Sequence, residues 1–587
     1  MGTLARILTV IGAITVILIL IFVAIGIYTR ATRARVPSRT VLEIDFGKGL
    51  VEQAPRGLAE RIGREERLVI KDLVRALDYA SRDDRVKGVV ARLDGSPFPY
   101  ADVQEIRDAV ARFRMSGKPA VAYAETFGEA QPGNSSYYLA TAFDSVFLQP
   151  SGDLNLTGLI SQSPFLRRTM EKLDVEPQLG AREEFKTAKN LFTEDGYTEQ
   201  HREVNQTIID SVLGSMVRDI ARARNIEEGS VRELISQGPY NARQALENGL
   251  VDGLKYRDEI FDLMRQRAGD DSRFLYVNRY IQRLRPETRR GRAVALIYAQ
   301  GTVARGRSRY NPMSGERVMG AQTISAAIRA AVRDNNVGAI VLRINSPGGS
   351  YVGSDIIWRE ISNAREAGIP VIASMGAVAG SGGYFIAMNS DRIIAQPSTI
   401  TGSIGVVAGK FDARGLYNKF GITFDDVTTD PNATIWSLVH QYTDEQWEQI
   451  QSWLDNIYDD FVSKVAAGRD MERERVLEIA RGRIYTGTEA LEIGLVDSIG
   501  GFPLAINEAK RFMDIPEEEP VRIKIFPKRR TLWEQLTARP PESSEDVNCV
   551  RHYDIPVTSL KQFMRTMQKL GIFSQRGILS MEEPTLY

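Results

Sequence analysis

The sequence has a single cysteine, Cys549, and only three histidines among its 587 residues. One cysteine excludes an intramolecular disulfide and a zinc site built from several cysteines, and three scattered histidines argue against a His-rich metal site. The chain also lacks net charge, because 75 Lys and Arg residues balance 75 Asp and Glu residues. It therefore has no overall attraction to nucleic acid. We expect no metal, no cofactor and no nucleic-acid partner.

Long apolar runs are scarce too, with one exception near the N-terminus. After a flank at residues 1–6, residues 7–28 contain no charged side chain and are rich in Ile, Leu and Val. A helix of that length, at about 1.5 Å per residue, spans about 30 Å of hydrocarbon. No small-x-small cleavage site follows. The pattern predicts an uncleaved, single-pass transmembrane anchor with the rest of the chain on one side of a membrane.

The charges that flank this segment predict its orientation. Arg6 precedes the apolar run, whereas Arg30, Arg33, Arg35 and Arg39 follow it. The positive-inside rule would place the large remaining part of the chain in the cytoplasm. This orientation conflicts with the one implied by the resemblance given below.

The rest of the chain carries an internal duplication. Arg92 matches Arg343 at an offset of 251 residues, and Tyr137 matches Tyr384 at an offset of 247, within blocks that recur in the same order. Several matched blocks in one order are the signature of a duplicated unit.

Each half alternates short β-branched runs with helical patterns, such as those at 103–113 and 354–364. Such alternation is typical of βαβ units around a buried parallel sheet. The sequence therefore predicts an α/β protein with two repeats, at 40–290 and 291–526. A tail at 527–587, which we expect to be partly disordered, follows them.

Small residues surround Ser381 in the stretch VIASMGAVAGSGGYFIAMNS at 371–390. They permit a tight turn, and the apolar residues that follow predict the first turns of a helix. Backbone N–H groups at a helix N-terminus can stabilise an oxyanion. A second glycine turn, INSPGGS at 344–350, also follows a strand, so both turns can converge on one site. Ser381 is thus a candidate nucleophile, although such a cluster is more often only a tight turn.

The two halves differ at the positions that matter for this candidate site. The first half has Asn134 where the second has Ser381, and Pro-Phe at 97–98 where the second has Gly-Gly at 348–349. Conversely, Lys186 in the segment EEFKTAKN has no lysine counterpart in the second half. One half retains a nucleophile and the other a base.

The motifs INSPGG, AGSGGYFIA and TGSIGVV (401–407), preceded by FKTAKNLF (185–192), resemble the signal peptide peptidase A family in its long, duplicated, membrane-anchored form. The resemblance covers about residues 40–525. It implies a serine protease with a Ser/Lys dyad on tandem duplicated ClpP/crotonase-like domains. A lysine base would explain why no histidine lies near the serine in the sequence.

Carried over residue by residue, the resemblance makes Ser381 the nucleophile and Lys186 the general base. Ser403 would hydrogen-bond the lysine amine and orient it. The backbone N–H groups of Gly349 and Gly382 would stabilise the oxyanion. The motifs leave open whether the serine and the lysine meet within one chain or between two chains.

The lysine segment departs from the usual motif, because Phe185 replaces the commoner Tyr and Thr187 replaces Ser. A second lysine, Lys189, lies three residues after Lys186. Whichever lysine is the base accepts a proton only when neutral, so its pKa must fall from about 10.4 towards the working pH. Burial lowers the pKa of a lysine. We therefore predict an activity that rises with pH through neutral into alkaline conditions.

The resemblance also implies a place and a substrate. Such enzymes degrade signal-peptide remnants and similar apolar, extended peptides at the bacterial inner membrane. The catalytic body then faces the periplasm, and the chain forms a homo-oligomer, with a tetramer expected. Two alternatives remain at this point: a crotonase-like enzyme acting on an acyl thioester, and a non-catalytic, membrane-tethered scaffold.

Overall fold

A computed structural model describes residues 36–53, 67–284, 291–311 and 316–527, together with Ile17 and the short strand Leu579–Ser580. No helix within these ranges is long and apolar enough to cross a membrane. The predicted anchor at 7–28, apart from Ile17, and its flank at 1–6 lie outside the described residues, as does most of the tail. The anchor therefore stays a prediction.

The first sheet consists of six parallel strands. Their order across the sheet is Gly253–Leu254, Ser145–Leu148, Ala120–Ala124, Val86–Leu93, Thr40–Asp45 and Arg273–Tyr276. Val89 and Val90, whose side chains point to opposite faces of one strand, are both fully buried. Burial on both faces explains the continuous apolar runs of these strands.

The second sheet has eight strands. Across it lie Ile484–Thr486, Ile400–Gly402, Val371–Gly380, Val337–Ser346, Ala293–Gln300 and Arg522–Phe526, and Arg392–Ala395 and Ser498–Ile499 pair off this path. Ile484–Thr486 is antiparallel to its neighbour, and the other pairs are parallel. The predicted α/β class is confirmed. Each sheet takes its strands from one predicted repeat, whose boundaries stay predictions.

Helices alternate with the strands in both halves. Those of the first half are Ile70–Arg82, Tyr100–Arg114, Asn134–Ala140, Arg167–Leu173, Asn190–Thr193, Glu199–Arg224, Glu228–Gln237, Ala242–Glu247, Arg257–Ala268 and Val277–Arg283. Those of the second half are Ala321–Val332, Tyr351–Glu366, Gly382–Ala387, Arg414–Lys419, Asp444–Arg469, Arg473–Ile479, Gly487–Glu492 and Phe502–Phe512. The predicted helices at 103–113 and 354–364 are confirmed, each a few residues longer at its ends.

The halves share buried hydrogen bonds as well as sheet order. The Tyr137 hydroxyl donates to the Leu250 carbonyl at 2.7 Å, and the matching Tyr384 hydroxyl donates to the Leu495 carbonyl at 3.0 Å. Both tyrosines are fully buried. Their equivalent bonds explain why the tyrosines recur in the two halves.

In the described part of the chain, four smaller groups of strands lie outside these sheets. A five-stranded sheet contains Arg309–Tyr310, Arg317–Gly320, Thr302–Ala304, Gly348–Gly349 and Leu579–Ser580. Two pairs, Leu50–Val51 with Leu68–Val69 and Asp153–Leu154 with Tyr240–Asn241, belong to the first half. A ribbon between the halves, formed by Glu176–Arg182 and Val406–Asp412, is antiparallel over seven residues. We call it the inter-repeat ribbon.

Buried ion pairs also join the halves. Arg343 lies in the strand that leads to the glycine turn, and its Nη2 is 2.7 Å from both Glu52 Oε1 and Glu105 Oε2 of the first half. Their side chains are at most 6% exposed. Removing one partner from such a cluster typically destabilises a protein by about 3–5 kcal/mol. The cluster therefore holds the halves in one arrangement.

Candidate active site

Ser381 lies at a sharp turn between a strand and a helix. The strand Val371–Gly380 ends one residue before it, and the helix Gly382–Ala387 begins one residue after it. Its φ of 52° and ψ of −115° form a strained backbone conformation for a residue other than glycine. Its N–H donates to the Gly402 carbonyl at 2.8 Å, and its carbonyl accepts from the Phe385 N–H at 2.8 Å. These bonds hold the serine at the carboxyl end of an interior strand.

Lys186 reaches this serine from the first half of the chain. The inter-repeat ribbon brings its segment across, since Glu176–Arg182 ends four residues before Lys186. Lys186 Nζ lies 2.9 Å from Ser381 Oγ of the same chain. One chain therefore supplies both groups, which the sequence had left open.

Ser403 also contacts the lysine amine. Its Oγ lies 2.9 Å and its carbonyl oxygen 3.1 Å from Lys186 Nζ. Ser403 has a φ of 54°, and its N–H donates to the Arg483 carbonyl at 2.7 Å. The amine thus has three oxygen neighbours, which fix its direction towards Ser381.

Burial determines the protonation of this lysine. Lys186 is 2% exposed, and Ser381 is fully buried. Because burial disfavours the ammonium form, it lowers the pKa of Lys186 from 10.5 to about 7. The oxygen atoms around the amine belong to hydroxyl and carbonyl groups, which lack the full negative charge of a carboxylate. A substantial fraction of the amine is therefore neutral near pH 7 and able to accept a proton.

The glycine turn lies beside the candidate nucleophile. Gly349 has a φ of 148°, and a Cβ there would lie 2.2 Å from the Val303 carbonyl oxygen, so only glycine fits. A Cβ on Gly382 would lie 3.1 Å from the Gly349 nitrogen and 2.6 Å from Ser354 Oγ. The two glycines predicted to hold the oxyanion are therefore close neighbours.

The equivalent place in the first half holds an amide side chain where the second half has the serine. Asn134 corresponds to Ser381 at the offset of 247 residues. Its Nδ2 donates to the Gly158 carbonyl at 2.6 Å, and its Oδ1 accepts from the Thr157 N–H at 2.9 Å. The asparagine therefore fastens a loop at this position and offers no hydroxyl.

In the first half, the position equivalent to Gly382 carries a side-chain hydroxyl. Ser135 corresponds to Gly382, and Phe98 corresponds to Gly349. The Ser135 Oγ accepts the Phe98 N–H at 2.9 Å, in a buried contact. In the second half, Gly382 has no such hydroxyl.

Two neighbours of the lysine were missed from the sequence. Gly482 has a φ of 79°, and a Cβ there would lie 2.5 Å from the Lys186 nitrogen. His201 is buried, and it lines a small cavity together with Lys186 and Ser403. The centroid of its ring lies 4.6 Å from that of Tyr197, so the histidine packs against an aromatic side chain. At Gly482 the only signal in the sequence is the glycine itself. No pattern in the sequence indicates that His201 lies near Lys186.

The arrangement combines a hydroxyl, an amine that is partly neutral near pH 7 and two adjacent backbone turns in a buried pocket. A serine whose proton can pass to a neighbouring base is suited to nucleophilic attack on an acyl carbon. Backbone N–H groups beside it are suited to holding the negative charge that develops on the oxygen. The geometry therefore fits acyl transfer to a serine.

Comparison with known proteins leads to the same chemistry. The model of peptidase family S49 matches residues 112–270 and 363–515. The chain is 31% identical to the "Serine protease SPPA, chloroplastic" of Arabidopsis thaliana over 457 residues, which cover 76% of this chain and 66% of that protein. It is 31% identical to "Protease 4" of Salmonella typhi over 455 residues, which cover 75% and 71%.

A shorter match is the "Putative signal peptide peptidase SppA" of Enterococcus faecium, 36% identical over 190 residues, which cover 32% of this chain and 55% of that protein. Fold, site and relatives together define a serine protease. The chain belongs to peptidase family S49. The resemblance to the signal peptide peptidase A family is confirmed.

Proposed function

We propose that Ser381 and Lys186 form the catalytic dyad of this protease, on two ClpP/crotonase-like domains. The observation that carries the proposal is the 2.9 Å contact between Lys186 Nζ and Ser381 Oγ inside a buried site. Such a distance is within the range required for direct proton transfer.

In the proposed reaction, the neutral Lys186 amine takes the proton from Ser381 as Oγ attacks the carbonyl carbon of the scissile peptide. Ser403 holds the amine in line during this transfer. The resulting ammonium then gives its proton to the leaving amine, the C–N bond breaks, and an acyl-serine ester remains. Water, deprotonated by the same amine, hydrolyses that ester and regenerates the serine.

The backbone N–H groups of Gly349 and Gly382 stabilise the tetrahedral intermediate in this proposal. Support comes from the closeness of the two glycines, since a Cβ placed on Gly382 would lie 3.1 Å from the Gly349 nitrogen. Donors arranged before the reaction lower its barrier, because they need no reorganisation as charge develops.

The proposed substrates are signal-peptide remnants and similar apolar, extended peptides. The name of the Enterococcus faecium relative, a putative signal peptide peptidase, supports this class. An extended peptide also suits a site bordered by the short strand Gly348–Gly349, because such peptides bind by adding a strand to a sheet edge.

We place the enzyme at the bacterial inner membrane, anchored by residues 7–28, with its catalytic body in the periplasm. The uncharged apolar run supports the anchor, whereas the arginines that follow it favour the opposite orientation. A reporter that is active only in the periplasm, fused to the C-terminus, should be active. Activity of a cytoplasm-specific reporter instead would reverse the orientation.

We further propose that the chain forms a homo-oligomer, a tetramer by resemblance. Exposed apolar side chains in the stretch 420–436 support a contact with a second copy, since Phe420 is 72% and Phe424 51% exposed. Light scattering on the purified protein should give four times the mass of one chain. The mass of a single chain would contradict the proposal.

The pH dependence of peptide hydrolysis tests the dyad. Below the pKa of Lys186 the amine is protonated and cannot act as a base, so kcat/KM should rise about tenfold per pH unit and level off above about pH 7. The measurement is hydrolysis of a fluorogenic apolar peptide across about pH 5 to 9, spanning the pKa on both sides. A rate that is flat across this range, or that falls with rising pH, would remove Lys186 from the mechanism.

A further inference from the structure

A cavity of about 470 Å³ lies between the two halves of the chain. Its walls include the stretches 47–53 and 96–99 of the first half, and Gln300, Arg317 and Asn345 of the second. Sites for small ligands are usually pockets of about 300–1,000 Å³. This space is therefore large enough for a ligand of several residues. We call it the inter-repeat cavity.

The cavity lies at the first half's counterpart of the glycine turn. Residues 96–99 match 347–350 at the offset of 251 residues, so Phe98 stands where the second half has Gly349. The Phe98 N–H donates to Ser135 Oγ, and Asn134 supplies no nucleophile. The first half thus combines a cavity with a turn that lacks the groups for acyl transfer. Such a place is suited to binding without hydrolysis.

Two hydrogen-bond acceptors of this cavity have no partner. Asp102 lines the cavity and is 6% exposed, and its Oδ1 accepts no hydrogen bond from the described residues. Gln300 also lines the cavity, and its Oε1 likewise has no donor within the described ranges. Buried polar atoms are rarely left in this state, because the loss of their hydration is costly. The two acceptors therefore indicate a ligand that donates hydrogen bonds.

The charges next to Asp102 favour a donor that is positively charged. Arg343 Nη2 lies 2.7 Å from a carboxylate oxygen of both Glu52 and Glu105. One guanidinium thus pairs with two carboxylates, and Asp102 is a third carboxyl group beside them. Burial first, and then the negative charge of Glu52, raise the pKa of Asp102. A cationic group beside Asp102 would offset both effects and stabilise the ionised carboxylate.

Basic side chains border the same cavity. Lys48 and Arg67 of the first half and Arg317 of the second belong to its lining. Lys48 and Arg317 are half-buried and Arg67 is exposed, so these side chains lie nearer to solvent than Asp102. We call them the basic rim. A ligand with an ammonium group at one end and a carboxylate at the other matches both parts, whereas a metal ion matches only the acidic part.

We propose that the inter-repeat cavity binds a short peptide with free ends, with its α-ammonium group at Asp102 and its carboxylate at the basic rim. This site goes beyond the proposed dyad, because binding requires no reaction at Ser381. Hydrolysis of a peptide bond leaves one new ammonium end and one new carboxylate end, so a protease releases ligands of this class. Because both halves form the walls, a bound peptide stabilises the arrangement that brings Lys186 to Ser381.

Calorimetric titration of trialanine into the full-length Ser381→Ala protein tests this site without catalysis. Two capped peptides, N-acetyl-trialanine and trialanine amide, each lack one charged end. We expect either cap to weaken binding by about tenfold or more, because each removes a charge-assisted hydrogen bond. Trialanine should also raise the midpoint of thermal unfolding, since it binds the folded chain.

A second substitution, Asp102→Asn, locates the ammonium group. It removes the charge of Asp102 and keeps the shape of the side chain. We expect trialanine to bind this variant more weakly by about tenfold or more, and N-acetylation to have no further effect. A merely structural role of Asp102 would leave the effect of acetylation unchanged.

Asp108→Asn is the matched control. Asp108 belongs to the same helix as Asp102, and it accepts a hydrogen bond from Gln396 Nε2 at 3.3 Å. This variant should bind the three peptides as the Ser381→Ala protein does. Thermal unfolding without peptide checks that each variant is folded. If Asp102→Asn fails to fold, the capped peptides still decide the question in the Ser381→Ala protein.

Several results would overturn the proposal. These are an absence of trialanine binding, an equal affinity for trialanine and its N-acetyl form, and an affinity that Asp102→Asn leaves unchanged or that both aspartate variants lower equally. Binding of Mg²⁺ or Ca²⁺ that depends on Asp102, without binding of trialanine, would make the cavity a cation site instead. If the wild type lacks peptidase activity but Asp102 and the ammonium group are coupled, the proposed function fails and this site stands.

Discussion

Ser381→Ala is expected to lower kcat/KM for an apolar fluorogenic peptide by about 10³-fold or more, because it removes the atom that attacks the carbonyl. Lys186→Met should cause a loss of the same order, since the serine proton then has no acceptor at 2.9 Å. Residues that act as a unit give non-additive losses. The double variant Ser381→Ala/Lys186→Met should therefore retain about as much activity as the less active of the two single variants.

Lys189→Met is the matched control for the lysine. Lys189 ends the short helix Thr187–Lys189, three residues from Lys186, and has the same side chain. Its replacement should leave kcat/KM within about twofold of the wild type, because Lys189 is only partly buried. Thermal unfolding of each variant checks that lost activity does not reflect lost structure. Full activity in Ser381→Ala, or equal losses in the two lysine variants, would defeat the dyad assignment.

Gly382→Ser is expected to lower kcat by about 10²-fold to 10³-fold, the usual effect of losing an oxyanion donor. The change copies the first half, where Ser135 Oγ accepts the Phe98 N–H at 2.9 Å. In the second half, the new side chain would start 3.1 Å from the Gly349 nitrogen and 2.6 Å from Ser354 Oγ, and its hydroxyl would compete with the oxyanion for the Gly349 N–H. Steady-state kinetics with the same fluorogenic peptide measures the loss.

The reciprocal variant, Ser135→Gly, is the control for this change. It opens the equivalent position in the first half, where Asn134 offers no nucleophile. Peptidase activity should therefore match the wild type. If Gly382→Ser keeps the kcat of the wild type, the oxyanion position lies elsewhere.

Much of the fold was predictable because the same alternation of strand and helix patterns occurs in both halves of the chain. The helices Tyr100–Arg114 and Tyr351–Glu366 follow from apolar periodicity between β-branched runs. The comparison of the halves also marked the positions of Asn134 and Ser381 as different. The structure explains that difference: the Asn134 side chain is hydrogen-bonded to a loop, whereas the Ser381 hydroxyl contacts the Lys186 amine.

The meeting of Ser381 and Lys186 was not predictable from local patterns. Those residues are 195 positions apart, and the inter-repeat ribbon that joins their segments is a long-range pairing with no signature in either strand alone. The positive φ of Ser403 also depends on tertiary contacts, so the local sequence does not predict it. Gly482 supports the lysine backbone from the second half, and no motif marked it.

Covalent labelling of Ser381 tests the central claim most directly. Wild type, Lys186→Met and Lys189→Met proteins are treated with a fluorophosphonate, and the modified peptide is identified by mass. We predict a label on Ser381 in the wild type and in Lys189→Met, and labelling slower by about 10²-fold or more in Lys186→Met, since the serine then lacks its base. A label on another residue, or equal rates in the three proteins, would contradict the Ser/Lys dyad.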